Sequence, residues 1–387
     1  MRKSHYKDRL GIMVETNDRR LPVGIQSFEK IRKDGYLYVD KTDIIWQLAN
    51  RNKTYNYLSR PRRFGKSVLV DTLEAYFMGK KELFEGLKIM QLETEWVKRP
   101  VIRLDMSRAG AEPETLRSYL DITFDRLEKE YGITPKPTAQ LADRFNAIIV
   151  GSYEQTGQQV AILIDEYDSP LQHSWKPPLH EACTSIYREV FAILKADDKY
   201  EKFVFITGIT KFTQISLFST LNTIANISFD ESLSAVCGIT YSELTDNFQN
   251  EIKRLADKCK MSEEATINEM QSLYDGYHFA SNMLNVYNPY SVLSAFSRGR
   301  LNSYWIASGS NEMLFKVLKK FAKDIPMLDG CLIDADYLEE SDVNMIDPKL
   351  FLYQAGYLTI KSVDGNTYVL GYPNREVKEA VQNSTLR

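Results

Sequence analysis

Cysteine is scarce in this sequence and never closely paired. Cys183, Cys237, Cys259 and Cys331 lie far apart, with no C-x-x-C among them. That spacing argues against a disulfide framework and a cysteine zinc site, and it fits a reducing cytoplasm. The four histidines (His5, His173, His180, His278) show no metal-ligand spacing, and no Ser-His-Asp or Cys-His arrangement stands out. No apolar run reaches the roughly 18 residues of a membrane span. The polar start, MRKSHYKDRLGIMVETNDRR, lacks the apolar core of a secretion signal. Bulk charge is missing too. With 49 Lys and Arg against 52 Asp and Glu, the net charge is -3, so any contact with nucleic acid must use a local patch. Neither an internal repeat nor a low-complexity tract is present.

What remains is a soluble composition of 387 residues, 43% hydrophobic and 26% charged, with room for two or three domains. The first 20 residues read as an N-terminal arm. Ile44, Ile45 and Leu48 recur at helical spacing in DIIWQLANR. KTYNYLSR is a short strand, and SVLVDTLEAYFMG is a helix with Leu69, Leu73, Tyr76 and Phe77 on one face and Gly79 as its stop. Val101 to Ser107 forms a second strand, entered through Pro100, and a long polar helical region spans about residues 112 to 155. Val160 to Ile164 is an unbroken apolar run, as expected of a strand buried on both faces. An amphipathic helix (SIYREVFAILKA), a fourth strand (KFVFITGITKFT) and a short fifth (NTIANISFD) follow. Strands alternating with helices predict an α/β domain with a mostly parallel sheet over residues 21–231. Successive helices make 232–310 a helical subdomain. In 311–387, helices precede a strand, an Asp-Gly turn and a second strand, which predicts a winged-helix-like module.

The chemistry centres on YLSRPRRFGKSVL, Tyr57 to Leu69. Its end fits the phosphate-loop pattern G-x-x-x-x-G-K-[ST], and its strand–loop–helix context is the required one. Its start departs from the pattern, with Arg60 and Pro61 where glycine is asked for. Proline holds the preceding residue extended and removes one N–H donor. The cradle is therefore expected to be altered at its start and normal from about Arg63 to Ser67. In it, Arg62, Arg63, Phe64, Gly65, Lys66, Ser67 and Val68 bind phosphates, Lys66 reaches the terminal phosphates and Ser67 holds Mg²⁺. Arg62 or Arg63 can offset the lost donor by bidentate pairing with phosphate.

A second motif, AILIDEYD, ends an apolar strand in two acids. Asp165 there supports the metal and Glu166 polarises the attacking water. Carboxylates at the carboxyl ends of parallel strands stand where open α/β sheets bind ligands. Thr207 ends the neighbouring strand, where a polar group can meet a γ-phosphate or the lytic water. Lys211 is read as a nearby cation or a surface lysine, and Asp168 as a structural cap. Arg62, Arg63, Arg298 and Arg300 are candidates for an arginine finger, and nothing in the sequence selects between the last two.

Together, LPVGIQSFEKIRKDGYLYVDKTDII, LSRPRRFGKSVLVDTLEAYFMGKKELFEGL, ILIDEYDSPL, FITGITKFTQISLFSTLN and VYNPYSVL resemble the predicted AAA-ATPase-like family of bacterial P-loop proteins. The resemblance runs from about Leu21 to beyond Gly371. It implies an AAA+/STAND-like fold with helices on both sheet faces, ATP and Mg²⁺ as ligands, Walker A at Ser59 to Ser67, Walker B at Ile162 to Glu166 and a sensor-like position at Thr207. It also makes Arg60 and Pro61 the family's own form of the loop. Many members continue into a nuclease-like domain of the PD-(D/E)xK superfamily. This chain stops where that domain would begin, so no nuclease activity is expected of it. The expectation is a cytoplasmic ATPase switch, able to form a homo-oligomer, whose C-terminal module meets nucleic acid or protein. A non-hydrolysing nucleotide-binding scaffold and a DNA-binding regulator stay open beside it.

Overall fold

The computed structural model describes residues 5–7, 13–15, 19–173, 177–211, 224–305, 327–340 and 348–385. The N-terminal arm carries two short strands, β1 (His5–Lys7) and β2 (Met13–Glu15), paired antiparallel. Helices α1 (Phe28–Lys33) and α2 (Thr42–Asn50) then lead into the main sheet.

That sheet has five parallel strands, β3 (Tyr55–Ser59), β4 (Val101–Asp105), β5 (Val160–Asp165), β6 (Glu201–Gly208) and β7 (Ala225–Asn226), in the spatial order β4-β5-β6-β3-β7. The strand feeding the phosphate loop therefore lies beside β6, not beside the acidic strand β5. Pairing sets Leu58 against Thr207 and Asp105 against Asp165. Crossovers run through α3 (Lys66–Phe77), then α4 (Pro113–Glu130) and α5 (Leu141–Thr156), then α6 (Ser169–His173), α7 (Pro177–Phe191) and α8 (Ile193–Ala196).

Alternation along β5 feeds two cores. Ala161 and Leu163 pack with α2 and α3, whereas Val160, Ile162 and Ile164 pack with α4, α5 and α7. All six residues of β5 are buried, which is why its sequence shows no polar alternation. This is the P-loop NTPase-like parallel sheet with helices on both faces that the sequence predicts. Several boundaries differ, two of them for a plain local reason. The second strand stops at Asp105, because the Asp105 carboxylate accepts from Ser107 N–H and starts a 3₁₀ turn. The helical region 112 to 155 is two helices, parted by a loop holding Pro135 and Pro137.

The predicted helical subdomain contains α9 (Tyr241–Asn247), α10 (Gln249–Cys259), α11 (Glu263–Tyr274) and α12 (Pro289–Arg298) around its own core, which also takes in Leu37. In the C-terminal part, β8 (Cys331–Asp334), α13 (Ala335–Glu340), α14 (Pro348–Gln354), β9 (Thr359–Asp364), β10 (Thr367–Gly371) and α15 (Arg375–Thr385) build a three-stranded antiparallel sheet, β8-β10-β9, with helices beside it. The predicted hairpin with its Asp364-Gly365 turn is present. The helix read from NEMLFKVLKKFAK lies outside the described residues. Leu350, Leu358, Ile360 and Leu370 of this part share one continuous core with Leu58, Leu69 and Phe203 of the main sheet. Among the described residues no helix is long and apolar enough to cross a membrane.

Candidate functional site

Between β3 and α3 the chain turns twice through left-handed backbone, at Arg63 (φ 67°) and Gly65 (φ 94°). The glycine at 65 meets this need at low cost, while the arginine at 63 is strained. Helix α3 then begins with no side-chain cap and no acid in its first turn, so its N–H groups and dipole are left for an anion. Phe64 is buried edge-on against Tyr277 (centroids 4.7 Å apart) and Phe279 (5.4 Å), so it offers the site only backbone.

Lys66 is 6% exposed, and its ammonium donates to the carbonyls of Arg60 (2.9 Å) and Pro61 (3.1 Å). Burial lowers its pKa, opposed by the nearby charges of Glu166, Asp165 and Asp168. Burial raises the Asp165 pKa, opposed by the neighbouring Ser67 hydroxyl and the Lys66 charge. Glu166 stands next along the chain in a left-handed conformation (φ 48°). Its carboxyl is also pushed up, first by burial, then by Asp165, with Lys66 opposing. Two sequence-distant strand ends thus bring Lys66, Ser67, Asp165 and Glu166 together.

A cavity of about 490 Å³ opens over the loop. Arg62, Arg63, Lys66, Ser67, Val68 and Glu166 line one side of it. Its other walls are mostly apolar and come from residues 22–45 and from the helical subdomain, with Ile25, Leu37, Val39, Ile239, Phe248 and Leu293 among them. LPVGIQSF and VYNPYSVL, quoted above without a role, supply parts of these walls. Their signal in the sequence is a cluster of apolar and small residues, which does not by itself say that the two segments meet.

Arginine 60 serves a different end from the loop's phosphate side. It is 1% exposed, and its guanidinium donates to the carbonyls of Ser59 (2.9 Å) and Ser228 (2.8 Å) while lying 4.2 Å from the Phe279 ring centroid. Arg62 donates to Gln172 Oε1 (3.2 Å), and Arg63 lies 5.0 Å from the ring centroid of Tyr290, a cavity-wall residue.

Several sequence-read residues are not brought into the cavity. Thr207 has no exposed surface, and its hydroxyl donates to the Leu58 carbonyl at 2.8 Å, so it ties β6 to β3. Asp168 is structural, though it does not cap the next turn. One of its oxygens accepts from Ile209 N–H (3.0 Å), Thr210 N–H (2.7 Å), the Thr210 hydroxyl (2.6 Å) and the Gln172 amide (2.5 Å), pinning the chain after β6 to α6. The Lys211 ammonium donates to the Glu339 carbonyl in the C-terminal part. Arg298 lies over Tyr304, 5.2 Å from its centroid, and neither it nor Arg300 lines the cavity.

The geometry fits a phosphate chain and a hard cation. Among the described residues no cluster of three or more His, Cys, Asp or Glu could cage a metal ion. The Ser67 and Asp165 pair suits Mg²⁺, which keeps several waters and needs few protein ligands.

A family model described as "Predicted AAA-ATPase" matches residues 22–218. A curated relative from Azotobacter chroococcum mcd 1, described as an uncharacterized protein in the vnfD 5′ region, is 33% identical over 376 residues, spanning 95% of this chain and 70% of that protein. Among solved structures, the Aeropyrum pernix ORC1 protein in complex with DNA aligns at 10% identity with a TM-score of 0.32, covering 89% of this chain and 91% of that one. The fold described here rests on strand order and not on that likeness. On the family match and the relative that aligns over 95% of this chain, the chain belongs to the predicted AAA-ATPase family.

Proposed function

We propose that this protein is a Mg²⁺-dependent ATPase of the cytoplasm that works as a nucleotide-driven conformational switch. The observation that carries the reading is the joining of Lys66, Ser67 and Glu166 at one cavity beside an uncapped helix N-terminus, with the buried Asp165 next to them. The loop N–H groups and Lys66 would bind the phosphates, once the ammonium leaves the carbonyls that now hold it. Ser67 and Asp165 would hold Mg²⁺, which supplies charge neutralisation at the phosphates. Glu166, with its raised pKa, suits a base that polarises water. Arg62 and Arg63 would add cationic contacts, and the apolar walls would take the base.

No arginine beyond these two lines the described cavity, so turnover is expected to be slow until a partner or second copy supplies one. That same observation favours a second reading, a nucleotide-holding scaffold that does not hydrolyse. The C-terminal part would meet nucleic acid or protein, and duplex binding that weakens as salt rises would mark the former.

Calorimetric titration of ATP, ADP and GTP with Mg²⁺ tests the site. Saturable binding that Lys66→Ala abolishes is expected, and absence of binding in the wild type would overturn the reading. Phosphate release then separates the two alternatives. Glu166→Gln should stop turnover while ATP stays bound, whereas a scaffold would show no turnover to lose.

A further inference from the structure

One charged side chain of the cavity wall has no part in the phosphate chemistry above. Lys41, the residue preceding α2, is 8% exposed and lines the cavity. The other charged wall residues, Arg62, Arg63, Lys66 and Glu166, belong to the loop or follow β5 directly. Lys41 Nζ donates to both carboxylate oxygens of Glu243, each at 2.7 Å. Glu243 is itself fixed, since one of those oxygens accepts Thr240 N–H at 2.8 Å in the capping box of α9. The pair therefore joins the segment before α2 to the helical subdomain.

An ammonium carries three hydrogens. Glu243 takes two of them, which leaves one for a further acceptor on a residue that lines the cavity. The surrounding wall is apolar, with Leu37, Val39, Ile239 and Phe248 in it. A neutralised ion pair exerts little pull on a polyphosphate, whose charge the loop already meets. It does present one positioned N–H to an uncharged acceptor, in a setting where a buried donor left unmet is costly. We infer, on the basis of the nucleotide reading above, that Lys41, held by Glu243, recognises the nucleoside end of the bound nucleotide by donating to an uncharged acceptor, a purine ring nitrogen or a ribose oxygen.

The experiment is titration of ATP, ribose 5′-triphosphate and inorganic tripolyphosphate, each with Mg²⁺, into wild type, Lys41→Met and Lys41→Met/Glu243→Gln. The double variant removes the carboxylate that the single one would leave without its cation. Both variants should lose roughly tenfold in ATP affinity, the worth of one hydrogen bond from a charged donor. Both should hold tripolyphosphate within about twofold of wild type, because the loop is untouched. An equal loss on ribose triphosphate assigns the acceptor to the sugar, and a loss confined to ATP assigns it to the base. An equal loss on tripolyphosphate, or an ATP affinity unchanged in the double variant, overturns the inference. Wild type that binds tripolyphosphate and ATP equally well overturns it too, while leaving the phosphate site standing. Failure of wild type to bind any of the three removes the nucleotide reading itself.

Discussion

Arginine 60 carries more structural weight than catalytic weight. Its side chain is anchored by carbonyls of Ser59 and Ser228 and by the Phe279 ring, so the position that the general phosphate-loop pattern gives to glycine is here a core position. Restoring the pattern with Arg60→Gly should destabilise the protein by about 3 kcal/mol, through a cavity and unpaired carbonyls. Denaturant melts measure this, and a variant as stable as wild type would refute it. Nothing near Arg60 in the sequence could have revealed this role, because Ser228 and Phe279 lie far along the chain. The pairing of GKS with IDE was legible, because each motif is local and its chemistry is fixed by strand-end geometry. The surroundings of Thr207 were not legible, for the opposite reason. Its place at a strand end was readable, but the carbonyl that takes its hydroxyl belongs to a strand whose neighbour the sequence does not specify.

Another residue at this scale, Glu201, starts β6 and is 2% exposed. Burial pushes its carboxyl up to about 8, with the nearby Tyr55 opposing the rise and Asp197 and Asp198 adding to it. The folded chain therefore keeps a proton that the unfolded chain gives up near the ordinary value of 4.5. Its contribution to stability is full below that ordinary value and is lost as pH rises through the folded one. Glu201→Gln keeps the shape without the ionisation. Thermal melts should show it more stable than wild type above pH 8, with the difference shrinking toward pH 4.5. Parallel curves across that window would exclude the assignment.

At the scale of elements, the main sheet was the most legible part. Its central strands β5 and β6 carry unbroken apolar runs, Val160–Ile164 and Phe203–Ile206, and those runs are apolar because both faces are covered. The cavity walls were less so, since they form only where residues 22–45 meet residues 236–239, Phe248 and α12. One contact there gives a direct readout. The Trp305 indole N–H donates to the Arg62 carbonyl at 3.0 Å, and Trp305 N–H donates to the buried Glu376 carboxylate of α15 at 2.7 Å. A phosphate chain that reorders the loop should alter this indole's surroundings. Trp305 emission, isolated by comparison with Trp305→Phe, should change on adding Mg²⁺ and ATP. An unchanged spectrum at saturating ATP would show that loop and helix α15 are not linked through this residue.

For the molecule as a whole, the C-terminal part presses on the phosphate loop. Gly356 has a φ of 87°, and a Cβ there would lie 2.6 Å from Pro61 Cβ and 3.3 Å from the Trp305 ring. Gly356→Ala should therefore cost roughly 1–3 kcal/mol of stability. It should also weaken ATP binding although the residue lies outside the cavity. Wild-type melting together with wild-type affinity would show that the contact yields freely.

The continuous core joining the main sheet to the C-terminal part has a consequence for inheritance. Residues that pack as one core couple energetically, so a large-to-small substitution at Leu350 or Leu358 is felt on the sheet's own face as well as within the C-terminal part. Grafting the C-terminal part of one relative onto the sheet of another would mismatch two halves of a single interior. The segment matched by the family model is thus smaller than the unit on which selection for folding acts.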